Sequence, residues 1–355
     1  MPVSRGRAAR FATVLLAFCT FSAPTVAGDI DVVVTIKPIH SLVSQVMAGI
    51  ATPKLIVDGA SSPHTFSLKP SDARALASAD VVFRVSPALE AFSDRLAGVL
   101  KAEAQMVSLA ESPGVSLLMT RTGATFEAHG HAAEGGREDH ADHAKHTDHA
   151  GHDADRHKDD AGGRGHHHAD SKDDSDHHGE HHGGADTHVW LDPANAKAIV
   201  RHVAAVLAAR MPERKAALDA NAASAIAAID VLDRELAGIL APVAGKPFVV
   251  FHDAYQYFER HYGLAAAGSI TLHPEVRPSA RRISEIRDRL KKLSSACVFT
   301  EPQFPSRIIA AVTEGTGTRT GVLDPIGAAV LAGADHYGAM MRLLAAGLAT
   351  CLAGG

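Results

Sequence analysis

The chain has 355 residues, 46% of them hydrophobic, which is enough for two ordinary domains that each bury a core. Its formal charge is −5, but the distribution is uneven: residues 127–186 hold 16 acidic against 6 basic residues, so the other 24 acidic and 29 basic residues sum to +5. Three of those positive charges are Arg5, Arg7 and Arg10, which leaves the folded part near neutral and excludes the basic footprint of a nucleic-acid binder.

The same three arginines precede an apolar run, Phe11 to Ala23, and then the small residues Thr25-Val26-Ala27. This is the pattern of a secretory signal over residues 1–27, and the run is too short to span a bilayer comfortably. Cys19 lies within the run, but Phe18 before it is a poor context for lipid attachment. No other stretch reads as transmembrane, so the mature protein is expected to be soluble and outside the cytoplasm. Signal removal leaves Cys297 and Cys351. In an oxidising compartment they read as one disulfide, with two buried thiols as the alternative.

From residue 28 to 126, β-rich runs alternate with amphipathic stretches. Val32 to Ile36, Leu55 to Val57 and Asp80 to Val85 read as strands, with helices over His40 to Met47 and Ala73 to Ala79. The rhythm stops at residues 127–186, where His, Asp, Gly and Ala dominate without apolar periodicity. That composition predicts a disordered His/Asp-rich loop, read either as a weak metal-binding tract through its 15 histidines or as a solvated insertion. Residues 187–211 complete the first lobe, with Asp192 as N-cap and Pro193 at the first helical position. A longer helix starting at Pro212 occupies residues 212–241 and bridges to a second lobe at residues 242–355. There, Phe248 to Phe251, Cys297 to Thr300 and Thr320 to Leu323 read as strands. Arg281 to Leu293 and His336 to Leu352 read as helices. The fold class is α/β: two βα lobes with parallel sheets, joined by a long helix.

Of the 23 histidines, those just past strand ends are candidate ligands, because parallel sheets present ligands at the carboxyl ends of their strands. His252 follows Phe251 directly, His64 lies in the loop after Val57, and His188 opens the ordered segment after the loop. Asp324 follows the last strand and precedes Pro325, a pairing that also starts turns. Three imidazoles and a carboxylate make a four-coordinate set suited to Zn²⁺. His40, His202, His261 and His336 fit helix surfaces or termini, and Glu90 and Glu301 are candidate acceptors for ligand imidazole N–H groups.

Several segments resemble the metal-binding solute-binding proteins of ABC importers. They are Pro63-His64-Thr65-Phe66-Ser67-Leu68-Lys69-Pro70, Ala79-Asp80-Val81-Val82, Leu89-Glu90-Ala91-Phe92 and His188-Val189-Trp190-Leu191-Asp192-Pro193. Phe251-His252-Asp253-Ala254-Tyr255 and Thr300-Glu301-Pro302-Gln303-Phe304 are similar to the zinc-specific, ZnuA-type branch. The resemblance implies a rigid linking helix, a metal in the cleft between lobes, and ligation by His64, His188 and His252. The fourth position is left to Asp324 or a water, since Pro63 stands where some zinc-specific members carry an acid. The resemblance also implies a disulfide between Cys297 and Cys351. It further implies a periplasmic, monomeric carrier that delivers Zn²⁺ to an inner-membrane ABC permease and its ATPase. Manganese-binding relatives typically carry Glu where this chain has His252, so the exchange favours Zn²⁺ over Mn²⁺. The competing readings are a manganese-binding homologue, a zinc-dependent hydrolase, and a metal buffer working through the His-rich loop.

Overall fold

The structure is a computed structural model that describes residues 30–96, 98, 100–121, 126, 184–293, 296–305 and 307–354. The expected signal sequence and residues 127–183 of the His-rich loop lie outside the described residues.

The first lobe opens on β1 (Val32–Ile36), five residues that are all buried. A β-branched run without alternation suits a central parallel strand covered on both faces. Helix α1 (Lys37–Val46) follows with proline in its first turn. Then come β2 (Lys54–Val57), α2 (Pro70–Ser78), β3 (Val81–Arg84) and β4 (Gln105–Ser108). The sheet is all parallel, in the order β2-β1-β3-β4. The second lobe repeats that order as β6-β5-β7-β8, again all parallel. Its strands are β5 (Phe248–His252), β6 (Ala266–Thr271), β7 (Cys297–Thr300) and β8 (Arg319–Val322).

Two helices connect the lobes. Helix α3 (Pro193–Arg210) starts at Asp192, whose carboxylate accepts from the Ala194 amide. Helix α4 (Lys215–Leu240) has 26 residues, a rod of roughly 39 Å at 1.5 Å per residue. Short 3₁₀ turns over Pro212–Arg214 and Ala241–Val243 flank it, so the linker expected over residues 212–241 is a regular helix only in its middle. The second lobe adds α5 (Gln256–Tyr262), α6 (Ala280–Lys292), α7 (Arg307–Thr313) and α8 (His336–Ala353). Cys297 of β7 and Cys351 of α8 form a disulfide that closes 54 residues of chain.

One apolar core runs from β1 through α3 and α4 to α8 and is shared by both lobes, while a second cluster, between the second sheet and α6 and α7, belongs to the second lobe alone. Polar contacts reinforce the join. Lys37 Nζ donates to the Ala328 and Val330 carbonyls, Ser41 Oγ donates to the Ala334 carbonyl, and the Tyr337 hydroxyl donates to the Trp190 carbonyl. A shared core with buried cross-links resists large hinge motion, unlike the thin connections of freely closing domains. Among the described residues, no helix is long and apolar enough to cross a membrane.

Candidate metal centre

The three histidines singled out from the sequence converge. His252 is the last residue of β5 and 3% exposed. His188 stands immediately before a 3₁₀ turn, Val189–Leu191, that leads into α3, and is also buried. His64 projects from the loop between β2 and α2 and is partly buried. Nε2 of His188 lies 3.4 Å from Nε2 of His64 and 3.3 Å from Nε2 of His252. One donor atom from each histidine falls within 4.8 Å of the other two. Two nitrogens bound tetrahedrally at the usual Zn–N length of about 2.0–2.1 Å would stand about 3.3–3.4 Å apart. The two measured separations match that spacing.

The other ring nitrogen of each histidine faces a carboxylate. Asp186 Oδ1 is 2.7 Å from Nδ1 of His188 and also accepts from the His188 backbone amide at 3.0 Å. Glu301, just beyond the end of β7, places Oε1 2.8 Å and Oε2 2.7 Å from Nδ1 of His252. Glu275 Oε1 is 3.1 Å from Nδ1 of His64. A carboxylate on Nδ1 fixes the tautomer that leaves the Nε2 lone pair free. Where that carboxylate is ionised, the Nε2 lone pairs face one point that a cation can occupy.

Burial sharpens the effect. Desolvation pushes the His252 imidazole down to about 3, with His64 adding to it, so the ring is held neutral. Burial pushes the Glu301 carboxyl up to about 8, against the hydrogen bond from the His252 amide. A dication at Nε2 supplies the positive charge that lets Glu301 ionise and accept the Nδ1 proton. The hydrogen bond with His64 holds Glu275 down to about 2. The space at the centre is about 10 Å³, room for an ion or one water.

Asp324 stands apart from this cluster. Its Oδ1 accepts from Gln303 Nε2 at 2.7 Å and from the Ile326 and Gly327 amides, and its Oδ2 accepts from the Ala328 amide at 2.6 Å. Those bonds commit the carboxylate to building the turn before α8, so the structure does not bring it to the nitrogens as a fourth donor. Glu90 is likewise committed elsewhere. It is buried at the end of β3 and accepts from Thr35 Oγ1 and from the Val85 and Ser86 amides. His40 and His336 are both buried, bonded to the carbonyls of Pro53 and Ile326; His40 is not on a helix surface, whereas His336 stands at the helix terminus expected of it, as the first residue of α8.

Sequence reasoning found Glu301 and missed Asp186 and Glu275. Asp186 fell at the edge of the expected disordered loop, yet it is 4% exposed. The backbone around it is pinned as well. Its amide donates to the Leu118 carbonyl, and its own carbonyl accepts from the Tyr257 hydroxyl of the second lobe. The Asp186-Thr187-His188 spacing was the available signal. Arg121, at the near end of the same loop, pairs with Asp253 and Glu259 on the second lobe.

The chain matches, over residues 32–351, the model of a family described as zinc-uptake complex component A, periplasmic. It is 44% identical over 333 residues to the high-affinity zinc uptake system protein ZnuA of Brucella abortus (strain 2308), covering 94% of this chain and 95% of that one. It is 38% identical over 334 residues to the protein of the same name from Paracoccus denitrificans (strain Pd 1222), again covering 94% and 95%. Among solved structures, a crystal structure of ZnuA is similar with a TM-score of 0.65 and 21% identity, covering 90% of this chain and 98% of that one, a likeness of fold.

Proposed function

The chain belongs to the family of periplasmic zinc-uptake components, and on that premise we propose that its three-imidazole centre captures Zn²⁺ in the periplasm for delivery to an inner-membrane ABC permease and its ATPase. The observation that carries this reading is the spacing of 3.3 and 3.4 Å between nitrogens whose opposite faces are each backed by a carboxylate. His64, His188 and His252 are the protein ligands, and water completes the tetrahedron in place of Asp324. An all-nitrogen protein donor set suits Zn²⁺ better than Mn²⁺, which prefers oxygen. The zinc ion is cargo, and the protein acts as a monomeric carrier rather than an enzyme. In support, the nearby carboxylates Asp186, Glu275 and Glu301 all hold imidazoles instead of facing a reacting centre.

The signal over residues 1–27 directs export, and the His/Asp-rich segment is accessory to the cleft. A competition titration of Zn²⁺ against Mn²⁺ tests the reading in the intact protein and in His252→Glu. The intact protein is expected to prefer Zn²⁺, and the variant to shift toward Mn²⁺. An unchanged preference contradicts the assignment of His252. Deleting residues 127–183 is expected to leave one tight zinc per chain, and its loss would move the primary site to that segment.

A further inference from the structure

The three histidine–carboxylate pairs differ in one respect that bears on how cargo is held. Asp186 and His188 belong to the same segment of the first lobe, and Glu301 and His252 stand at the ends of adjacent strands in the second. Both carboxylates are almost sealed from solvent, with side chains 5% and 1% exposed. The third pair crosses the cleft. His64 comes from the loop after β2, whereas Glu275 comes from the second lobe, in the connection between β6 and α6. Glu275 is 40% exposed and His64 13%. Pro63, beside His64 in sequence, has no acidic group to take over the role.

We propose that Glu275 is a positioning residue that latches the second-lobe connection 272–279 onto the first lobe when His64 carries zinc. The inference rests on the zinc-capture reading given above. A cation bound at Nε2 withdraws electron density from the imidazole, so Nδ1–H becomes a stronger donor to Glu275. The bond forms only when the connection lies against His64. Zinc occupancy and the position of the connection therefore favour each other, and the coupling is reciprocal. The connection has internal structure to carry the effect: Thr271 Oγ1 donates to the His273 carbonyl at 2.7 Å, and the Val276 amide donates to the same carbonyl at 3.1 Å. It ends at the surface, where Val276 is 63% exposed. The other two pairs, each internal to one lobe, orient their ligands without linking the lobes.

The test uses the full-length mature protein, with zinc alone as ligand, in the wild type, Glu275→Ala and Glu275→Gln. Two quantities are followed: zinc dissociation into a chelator by stopped flow, and amide hydrogen exchange with and without zinc. In the wild type, zinc is expected to slow exchange across 272–279. In Glu275→Ala that protection disappears, dissociation speeds up about 10-fold, the low end for loss of an outer partner, and stoichiometry stays one to one. Glu275→Gln, which keeps a neutral acceptor, is expected to restore part of both effects. The zinc-free thermal midpoint should be the same in all three, since an exposed carboxylate contributes little to stability. Zinc-independent exchange over 272–279 in a zinc-binding wild type overturns the latch, as does a Glu275→Ala that retains wild-type dissociation and protection. If His64→Ala binds zinc as tightly as the wild type, the capture reading itself fails, which is a separate outcome.

Discussion

The two lobes share one strand order but present their histidines differently. In the second lobe, His252 is the last residue of a fully buried central strand, and its carboxylate partner sits at the end of the neighbouring strand. In the first lobe, His64 stands in a loop past the edge strand β2, and its carboxylate partner comes from across the cleft. A strand end held on both faces keeps donor geometry fixed. A loop donor tied through an exposed partner can leave and return at lower cost. On the proposed reading, the second lobe sets which metal is accepted and the first-lobe loop governs how readily it comes and goes. His188 lies between these extremes, in a loop-like position but locked by Asp186 and Trp190.

The largest effect should come from the rigid side. His252→Ala is expected to weaken zinc binding by roughly 100- to 1,000-fold, because a tetrahedral site worth about 10–16 kcal/mol gives about 2.5–4 kcal/mol per donor. Chelator-competition titration checks this, and His64→Ala should lose less. Equal losses would erase the contrast between the lobes.

The next effect concerns stability rather than metal. Cys297→Ser together with Cys351→Ser opens a 54-residue loop found in the second lobe. Denaturant unfolding should report a loss of about 2–4 kcal/mol. Cys297 lies at the start of β7, away from the cleft end that leads to Glu301, so the order of metal preference should not change. A changed preference would mean that the rigidity of the second lobe depends on the crosslink.

Smaller effects are expected from the buried carboxylates. Glu301→Gln and Asp186→Asn should each weaken zinc binding about 10–100-fold in the same titration, with stoichiometry intact. The smallest lies outside the cleft. His261 contacts Asp192 at 3.1 Å and Asp233 at 2.8 Å, and the bond with Asp192, followed by that with Asp233, raises it above its ordinary value of 6.5 despite partial burial. A raised histidine contributes its stability in full below the unfolded value and loses it as pH rises through the folded one. In unfolding measurements, His261→Gln should therefore be less stable than the wild type at pH 5 but equal to it at pH 8, the pH 5 loss being a few tenths of a kcal/mol for a partly exposed cluster.

What the sequence disclosed follows the same division. Val32–Ile36 and Cys297–Thr300 were legible to the residue because buried parallel strands are continuous apolar runs. Asp192-Pro193 announced α3 through its capping chemistry. The three histidines that converge emerged from strand-end placement and from motif resemblance. Two strands were not legible: β4 (Gln105–Ser108) is a half-polar edge, and β6 (Ala266–Thr271) is built mostly of small residues, so neither has an apolar run. Glu275 was hidden for another reason. It lies 211 residues from the histidine it orients, and only the folded lobes bring them together. Asp324 could not be decided from sequence, because an aspartate before proline after a strand has the same local pattern whether it binds a metal or gathers backbone amides, as its carboxylate does in the structure.

The central claim is that one zinc ion sits among Nε2 of His64, His188 and His252. Anomalous diffraction at the zinc edge, from crystals of the mature protein given one equivalent of zinc, addresses it most directly. The account predicts a single dominant peak about 2.0–2.1 Å from all three nitrogens, with a water rather than Asp324 at the fourth vertex. A dominant peak elsewhere, or one that omits His252, would contradict it.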